Sequence, residues 1–453
     1  MTTPCIRTLR GRASLCALAL ALLYGCAGHA ERTEGARTAL DVRNPRAALE
    51  KLNEELEVDS EKELPEDMEG DEVLLVLDRA LVLQQLDQFQ LSSRDLEAAD
   101  KQVEVLDFSR GALDDISKYI FSDDSGPYPA PPYEKLLINT MNMMNYLARG
   151  DLNGARIEAR RFATMQKFID THESHGEALS GPGSYLAGFT FEKSGNAGEA
   201  LRFYDEALQQ GSYQSLREPL RRLAPLNAYR TPRITAMMGE APAAATPAPA
   251  DETGEVLVIV SYGRVPAKIA KRVPIGLALT LASGYISPND ASKANYLAGQ
   301  GLVTWVNYPT LGKPRGEYGI PELFIDDRQH GLEGMLAVDI ESERAWKRVE
   351  GAIVASAITR MITRIVAGEA TRQATGGGVV GALLSLGTQA TMTAVDTPDT
   401  RSWSTLPARI AFGRVRLPPG RHTIRIRARG LEKRQTIDLR ANGFAVIPLT
   451  VLW

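Results

Sequence analysis

The sequence predicts an α+β protein, with an α-helical N-terminal half and a mixed C-terminal half that ends in an antiparallel β-sheet. Apolar residues recur at helical spacing through residues 46–239. Residues 240–254 are rich in proline and alanine, which predicts a semi-rigid linker. Short continuous and alternating apolar runs then replace the helical period, so residues 255–453 are predicted to form a mixed α/β domain. Its last part, residues 406–453, is predicted to be a small β module.

The composition is typical of a globular protein, with 44% hydrophobic and 24% charged residues in a chain of 453. The formal net charge is -4. Residues 1–25 carry three arginines and no acidic residue, so the remaining chain carries -7. Because nucleic-acid binding needs positive patches that displace counterions, we expect no nucleic-acid partner.

All three cysteines, Cys5, Cys16 and Cys26, lie within the first 26 residues. The rest of the chain therefore has no thiol for an internal disulfide, a cysteine–zinc cluster or a thiol nucleophile. A body without thiols is safe from mispairing in an oxidising compartment, which fits an exported protein.

Residues 1–25 predict an export signal peptide. Three arginines precede an apolar run at residues 14–23, which is too short to cross a membrane as a mature helix. A plain secretory signal that is cut nearby is one interpretation of this segment. The four residues that follow the run favour a second interpretation: Leu23-Tyr24-Gly25-Cys26.

These four residues resemble the lipobox of bacterial lipoproteins, although Tyr24 replaces the usual small residue. The resemblance implies that Cys26 becomes the first mature residue and carries acyl chains such as palmitate. Each buried CH₂ contributes about 0.8 kcal/mol, so two or three chains hold a protein firmly in a membrane. Ala27 follows the cysteine where an aspartate would retain the protein in the inner membrane, so the resemblance implies a periplasm-facing position on the outer membrane.

Residues 26–45 are small and polar and are predicted to form a flexible tether. The helical half that follows contains a repeat, in which an aromatic residue lies four before a glycine and an alanine lies five after it. This spacing suits a helix that ends at a glycine turn and packs closely against a second helix. The repeat resembles tetratricopeptide (TPR) helix pairs, and an irregular helical bundle is the alternative. The two copies are Tyr146, Gly150 and Ala155, then Phe191, Gly195 and Ala200.

The C-terminal half mixes strand and helix patterns. Residues 256–260 predict a buried strand, residues 302–306 a second strand, and residues 338–368 a helix. Three glycines at 376–378 interrupt this helix. Residues 379–395 are predicted to form a buried or partner-facing helix, because they are too polar and too few to cross a membrane.

The last 44 residues alternate apolar and arginine residues, which predicts an antiparallel sheet with one buried face. Asn442-Gly443 predicts a tight turn before a final strand at residues 444–452. The turn at residues 417–422 resembles PEGA-type β modules of bacterial envelope proteins. The arginine face either binds anions or protects a sheet edge from aggregation. It comprises Arg414, Arg416, Arg421, Arg425, Arg427 and Arg429.

Several segments together resemble a family of uncharacterised bacterial envelope lipoproteins with a TPR-like N-terminal half. Members are often encoded beside lipoprotein activators of penicillin-binding proteins. The resemblance implies an envelope role and carries over no enzyme activity and no catalytic residue. It rests on the lipobox, residues 147–151, 263–268, 272–275 and 417–420 and, most specifically, residues 399–407, which begin Asp-Thr-Arg-Ser-Trp.

The sequence predicts no catalytic residue, cofactor or metal site, and we expect the chain not to be an enzyme. Residues 376–381 match GxGxxG, but they follow a helical pattern where a dinucleotide site needs a strand. Trp403 suits either a recognition loop or a packing role in the core. The remaining candidate partner-binding residues are predicted to line a groove of the helical half: Tyr146, Tyr185, Phe189 and Phe191.

We therefore expect a membrane-anchored periplasmic lipoprotein that binds a protein partner, as a scaffold or accessory factor in cell-envelope assembly. One alternative is an enzyme that acts on cell-wall or surface polysaccharide, which would need a cleft with convergent carboxylates or a metal. A second is an accessory protein of a secretion complex that oligomerises through residues 376–395.

Overall fold

The computed structural model describes residues 28–68, 71–110, 128, 130–172, 180–239, 252–301, 303, 305–313, 318–374 and 398–453. Four predictions fall on residues outside these ranges: the signal peptide at residues 1–25, the lipidation site Cys26, residues 240–251 of the linker, and the segment 376–395.

The fold is mixed α+β, with helices in the N-terminal part and sheets in the C-terminal part, as predicted. The helices before the sheets are α1 (His29–Arg32), α2 (Glu34–Asp41), α3 (Pro45–Glu55), α4 (Glu72–Gln85), α5 (Phe89–Arg110), α6 (Pro132–Ala148), α7 (Leu152–His172), α8 (Gly181–Lys193), α9 (Ala197–Gln210), α10 (Arg217–Leu223) and α11 (Pro232–Met238).

The strands and helices that follow are β1 (Gly254–Tyr262), β2 (Lys268–Pro274), α12 (Ile275–Leu281), α13 (Pro288–Gly299), β3 (Trp305–Leu311), β4 (Glu322–Ile325), β5 (Arg328–His330), β6 (Glu333–Ala337), α14 (Val338–Ala374), β7 (Arg409–Leu417), β8 (Gly420–Ala428), β9 (Leu431–Leu439) and β10 (Phe444–Val451).

Residues 28–45 are mostly helical, so the prediction of a flexible tether over 26–45 is wrong for its described part. Helices α1 and α2 occupy this segment, and His29, Ala36 and Leu40 are buried in the main body. These helices are too short to be stable by local propensity, so their stability comes from tertiary packing.

The two predicted helix pairs form at the predicted glycine turns. Gly150 and Gly195 both have a positive φ, which lets the chain leave α6 and α8 and enter the next helix. Close approach within each pair depends on another glycine: a Cβ on Gly154 would collide with the Tyr146 ring, and one on Gly188 with the Tyr204 ring. Helices α6–α9 thus form two consecutive antiparallel hairpins, which also contact each other.

The central sheet has the strand order β10-β1-β7-β6. Strand β1 is entirely buried, as its apolar sequence predicts, and it pairs in parallel with β10 and antiparallel with β7. The prediction that residues 406–453 form one small antiparallel sheet is therefore wrong. Its first and last strands flank β1, while β8 and β9 belong to a separate sheet with the order β5-β4-β8-β9.

The helical part and the central sheet share one hydrophobic core. That core includes Leu81 of α4, Phe189 of α8, and Leu257 of β1. The two parts are therefore packed together by apolar contact, in addition to the covalent link between them.

A second, smaller core lies outside the central sheet, and we call its elements the satellite: β2, β3, α12, α13 and most of α14. Strands β2 and β3 form a two-stranded antiparallel ribbon. Helix α14 begins in the main core at Val338, and Ile358 further along it packs in the satellite core. None of the described helices is long and apolar enough to cross a membrane.

Candidate functional site

The loop at residues 399–405 inserts between α4, α6 and the N-terminal helix α1. We call this loop, together with His29, Asp78 and Glu134, the clamp. Trp403 is fully buried at the centre of the clamp. Of the two alternatives for this residue, a recognition loop and a packing role, its burial favours the packing role. The clamp includes His29, so it lies next to the first described residues of the chain.

Asp78 of α4 holds the end of the clamp loop. Its carboxylate accepts hydrogen bonds from the backbone N–H of Thr405 at 2.8 Å, from the Thr405 hydroxyl at 2.9 Å and from the Ser404 hydroxyl at 3.1 Å. The His29 ring lies 3.5 Å from the same carboxylate, and both side chains are buried. The three hydrogen bonds join the loop to α4, and the buried His29 ring places α1 against the same carboxylate.

Glu134 of α6 holds the middle of the loop. It accepts hydrogen bonds from the Trp403 backbone N–H at 3.3 Å and from the Tyr128 hydroxyl at 2.7 Å. Burial raises the pKa of Glu134 to about 7, because desolvation outweighs these hydrogen bonds. The same burial, together with the Glu134 carboxylate, raises the pKa of Tyr128 well above its ordinary value.

Asp399 and Arg401 form a local ion pair at the start of the loop. The Arg401 guanidinium donates to both carboxylate oxygens of Asp399, at 2.9 and 2.8 Å. Burial alone would raise the pKa of Asp399, but these hydrogen bonds and the charges of Arg401 and Lys268 hold the pKa below its ordinary value. The pair therefore stays charged and fixes the start of the loop.

Three further ion pairs, made by two arginines, hold the first described helices in place. Arg32 of α1 bonds to Glu72 at 2.9 Å and to Glu55 at 3.2 Å. Arg264, directly after β1, pairs with Asp41 at the end of α2. The first helices of the described chain are thus attached both to α3 and α4 and to the C-terminal part.

The other predicted partner-binding residues do not line an open groove. Tyr185, Phe189 and Phe191 are buried. Tyr185 packs edge-to-face on Phe412 of β7, and Phe189 packs on Phe444 of β10. The chain's own sheet covers the face that was expected to receive a partner. Tyr146 is only partly buried, and its hydroxyl donates to Glu97.

A buried ion cluster that the sequence did not reveal joins α8 to the central sheet. Arg414 of β7 donates to both carboxylate oxygens of Glu192 at 2.8 Å and to Glu255 of β1 at 2.6 Å. Lys193 contacts both carboxylates, and the Tyr204 hydroxyl donates to Glu192 at 2.6 Å. Arg414 was expected on an exposed arginine face, and this expectation is wrong, because the side chain is only 2% exposed.

The cluster keeps its carboxylates ionised. Burial alone would raise the pKa of Glu192 and of Glu255, but Arg414 and Lys193 hold both pKa values below the ordinary range. Carboxyl groups whose pKa lies below the ordinary range carry no proton at neutral pH, so Glu192 and Glu255 are poor general acids there. One sequence signal was present: Glu255 is a charged residue at the start of a continuous apolar strand, where it needs a buried partner.

Arg425 and Arg427 lie on the outer face of β8, and Ile424 and Ile426 on its buried face, as predicted. Both arginines lie over the Phe324 ring, and Arg427 also pairs with Glu432 at 2.6 Å. An open cleft of about 510 Å³ lies beside the ion cluster, between α10 and β7. Among the described residues, no group of three or more His, Cys, Asp or Glu could hold a metal ion.

Comparison of the chain with known proteins finds no matching family model, no matching curated protein and no matching solved structure.

Proposed function

We propose that the chain is a lipoprotein of the bacterial cell envelope, held in the outer membrane by acyl chains on Cys26 with its body facing the periplasm. The observation that carries this proposal is the place of Cys26 in the chain. A basic segment and an apolar run precede it, and the first described helix starts at His29, three residues after it. Removal of a signal peptide at Cys26 would leave every described element intact.

The body acts, in this proposal, as a scaffold or accessory factor for a protein partner in envelope assembly. Two features support this role: the TPR-like spacing of the hairpins α6–α7 and α8–α9, and the PEGA-like turn between β7 and β8. Helix hairpins of this kind commonly present surfaces to other proteins. Because the aromatic face of α8 is covered by the central sheet, the partner surface lies elsewhere on the hairpins.

Fractionation of cells that produce the Cys26→Ala variant tests the anchor. We expect the wild-type chain in the membrane fraction and Cys26→Ala in the soluble periplasmic fraction, because the variant lacks the acceptor thiol. Cys16→Ala is the matched control, since it removes a thiol from the apolar run and should leave the protein in the membrane. Equal sedimentation of Cys26→Ala and the wild type would refute the anchor.

Crosslinking in intact cells, followed by purification of a tagged full-length chain, tests the scaffold role. We expect a reproducible set of envelope proteins with the wild type, and loss of that set with Cys26→Ala if the anchor is needed for location. Recovery of no envelope protein above an untagged control would contradict the scaffold role without affecting the anchor.

A further inference from the structure

The distance between the proposed lipid and the folded body is short. His29 is 2% exposed and belongs to the main body through Asp78. Three peptide steps separate it from Cys26, and they span at most about 11 Å. A lipid on Cys26 would therefore hold one defined end of the body close to the bilayer, whereas a long tether would let the body tumble.

That end of the body is the carboxyl end of β1. Directly after β1, Arg264 pairs with Asp41 of α2, and the Val265 N–H donates to the carbonyl of Leu406 at 2.9 Å, beside the clamp. The opposite end of β1 carries Glu255 and the ion cluster. Nine residues of strand separate the two ends by roughly 26 Å at about 3.3 Å per residue.

The satellite is attached at the same end as Cys26. Its first strand starts at Lys268, whose N–H donates to the Ser402 hydroxyl of the clamp loop at 3.3 Å. Its long helix α14 starts at Val338, where Asp339 pairs with Arg409. Beyond its first turns this helix leaves the main core and packs with β3, α12 and α13.

The surface of the satellite has the composition of a membrane-interface surface. The large aromatic side chains that are most exposed in the described chain all lie there: Tyr285 at 54%, Tyr296 at 66% and Trp305 at 46%. Ile269 and Leu277 are also exposed. Tyrosine and tryptophan are enriched where proteins meet lipid headgroups, because one end of the ring is apolar and the other is polar.

The charge of residues 268–311, the part of the satellite that precedes α14, complements anionic lipid. Residues 268–311 contain one acidic side chain, Asp290, against four basic ones, whereas the whole chain has 56 acidic and 52 Lys and Arg residues. Arg272 lies over the Trp305 ring at 5.5 Å, which places a cation and an exposed indole together. A basic residue close to an anionic membrane surface is attracted to it electrostatically.

We infer that the satellite lies on the lipid headgroups of the membrane that holds Cys26, as a second, peripheral contact beside the acyl chains. This inference rests on the proposed lipid anchor. The exposed rings of Tyr285, Tyr296 and Trp305 enter the interfacial region, and Lys271, Arg272 and Lys293 contact anionic headgroups.

Fluorescence quenching of Trp305 tests this contact. The mature lipidated protein is reconstituted into vesicles of phosphatidylethanolamine and phosphatidylglycerol that contain a spin-labelled lipid quencher. The signal of Trp305 is the difference between the wild type and Trp305→Phe, because the other three tryptophans, Trp346, Trp403 and Trp453, are present in both proteins and the subtraction removes their signal. We expect the quencher to remove at least half of this difference signal.

The matched control carries Leu226→Trp in the Trp305→Phe background. Leu226 is highly exposed and lies four residues after Arg222 of α10, which pairs with Glu192 of the ion cluster at 3.1 Å. We expect little quenching at this position. A Lys271→Glu/Lys293→Glu variant should reduce quenching of Trp305 at least twofold, because it reverses the charge of the surface.

Failure of the lipid anchor and failure of the headgroup contact give different results. If the protein does not attach to vesicles, the proposed lipid anchor is wrong. If it attaches and Trp305 is not quenched by lipid, the anchor stands and the headgroup contact is wrong. Protection of Trp305 from aqueous iodide without quenching by lipid, together with a larger mass in solution, would assign the surface to a second copy of the chain and overturn the inference.

Discussion

The ion cluster and the satellite differ in whether their charged and aromatic residues are buried or exposed. At the cluster, Arg414 and two carboxylates are buried between α8 and the central sheet, and each charge has a partner. On the satellite, cations and aromatic rings remain exposed around a small core of their own. The first arrangement joins two parts of one molecule, and the second leaves charged and aromatic side chains in contact with solvent.

This difference predicts different responses to substitution. Removing one charge from a buried pair leaves its partner uncompensated, which costs several kcal/mol. Removing an exposed side chain costs little stability, and its effect is seen only in the interaction that it serves. Stability measurements can therefore separate the two regions.

The largest effect is expected from Arg414→Met. The substitution leaves Glu192 and Glu255 buried without their main cation, so we expect the free energy of unfolding to fall by about 3–5 kcal/mol at pH 7. Chemical denaturation measures this loss. Arg416→Met is the control on the same strand, because its pair with Glu218 is half exposed, and it should cost less than about 1 kcal/mol. Equal losses would mean that the cluster does not join the two parts.

A smaller, pH-dependent effect is expected from Glu134→Gln in the clamp. The folded-state pKa of Glu134 is raised to about 7 from 4.5, so between these values the folded chain holds a proton that the unfolded chain releases. The free energy of unfolding of the wild type therefore falls as pH rises from 4.5 to 7, by at most about 1.4 kcal/mol per pH unit for this group.

Glu134→Gln removes that contribution, so the variant should gain stability relative to the wild type between pH 5 and pH 8. Denaturation at the two pH values measures the change. Glu158, whose pKa burial also raises to about 7, keeps part of the slope in both proteins. If the difference between variant and wild type is the same at both pH values, Glu134 is ionised throughout this window and our account of the clamp is wrong.

The smallest effect on stability is expected from Tyr296→Ser in the satellite. The ring is mostly exposed, so the free energy of unfolding should change by less than about 0.5 kcal/mol. Binding of the lipidated protein to vesicles should nevertheless weaken. A loss above about 2 kcal/mol in denaturation would show that the ring is part of a core, and the contrast with Arg414 would disappear.

The sequence predicts those features that depend on neighbouring residues. The apolar run at 256–260 is a buried strand, the helical pattern at 338–368 lies within α14, and Ile424 and Ile426 face the core while Arg425 and Arg427 do not. In each case a period of two or 3.6 residues, or a continuous apolar run, decides which side chains are buried.

Features that depend on distant residues were missed. Strand β1 separates β7 from β10, and no local pattern indicates that residues about 190 positions apart will pair in parallel. Asn442-Gly443 does turn the chain, but it leads from one sheet to the other and closes no hairpin. Helices α1 and α2 were missed for the same reason, since Leu40 and His29 are buried by residues of other elements.

The clamp contains residues that the sequence indicated and residues that it did not. The sequence singled out the Asp-Thr-Arg-Ser-Trp segment and allowed a packing role for Trp403, and the pairing of Asp399 with Arg401 is local. Asp78, Glu134 and His29 were not found, because each comes from a separate helix that only the fold brings to the loop.

The central claim is that Cys26 is the first residue of the mature chain and carries lipid, directly ahead of a clamped body. Mass spectrometry of the N-terminal proteolytic peptide from protein purified out of membranes tests it most directly. We expect a peptide that begins at Cys26, with the mass of a diacylglyceryl group and, in the triacylated form, one further acyl chain. An unmodified peptide, or one that begins at any other residue, would contradict the claim.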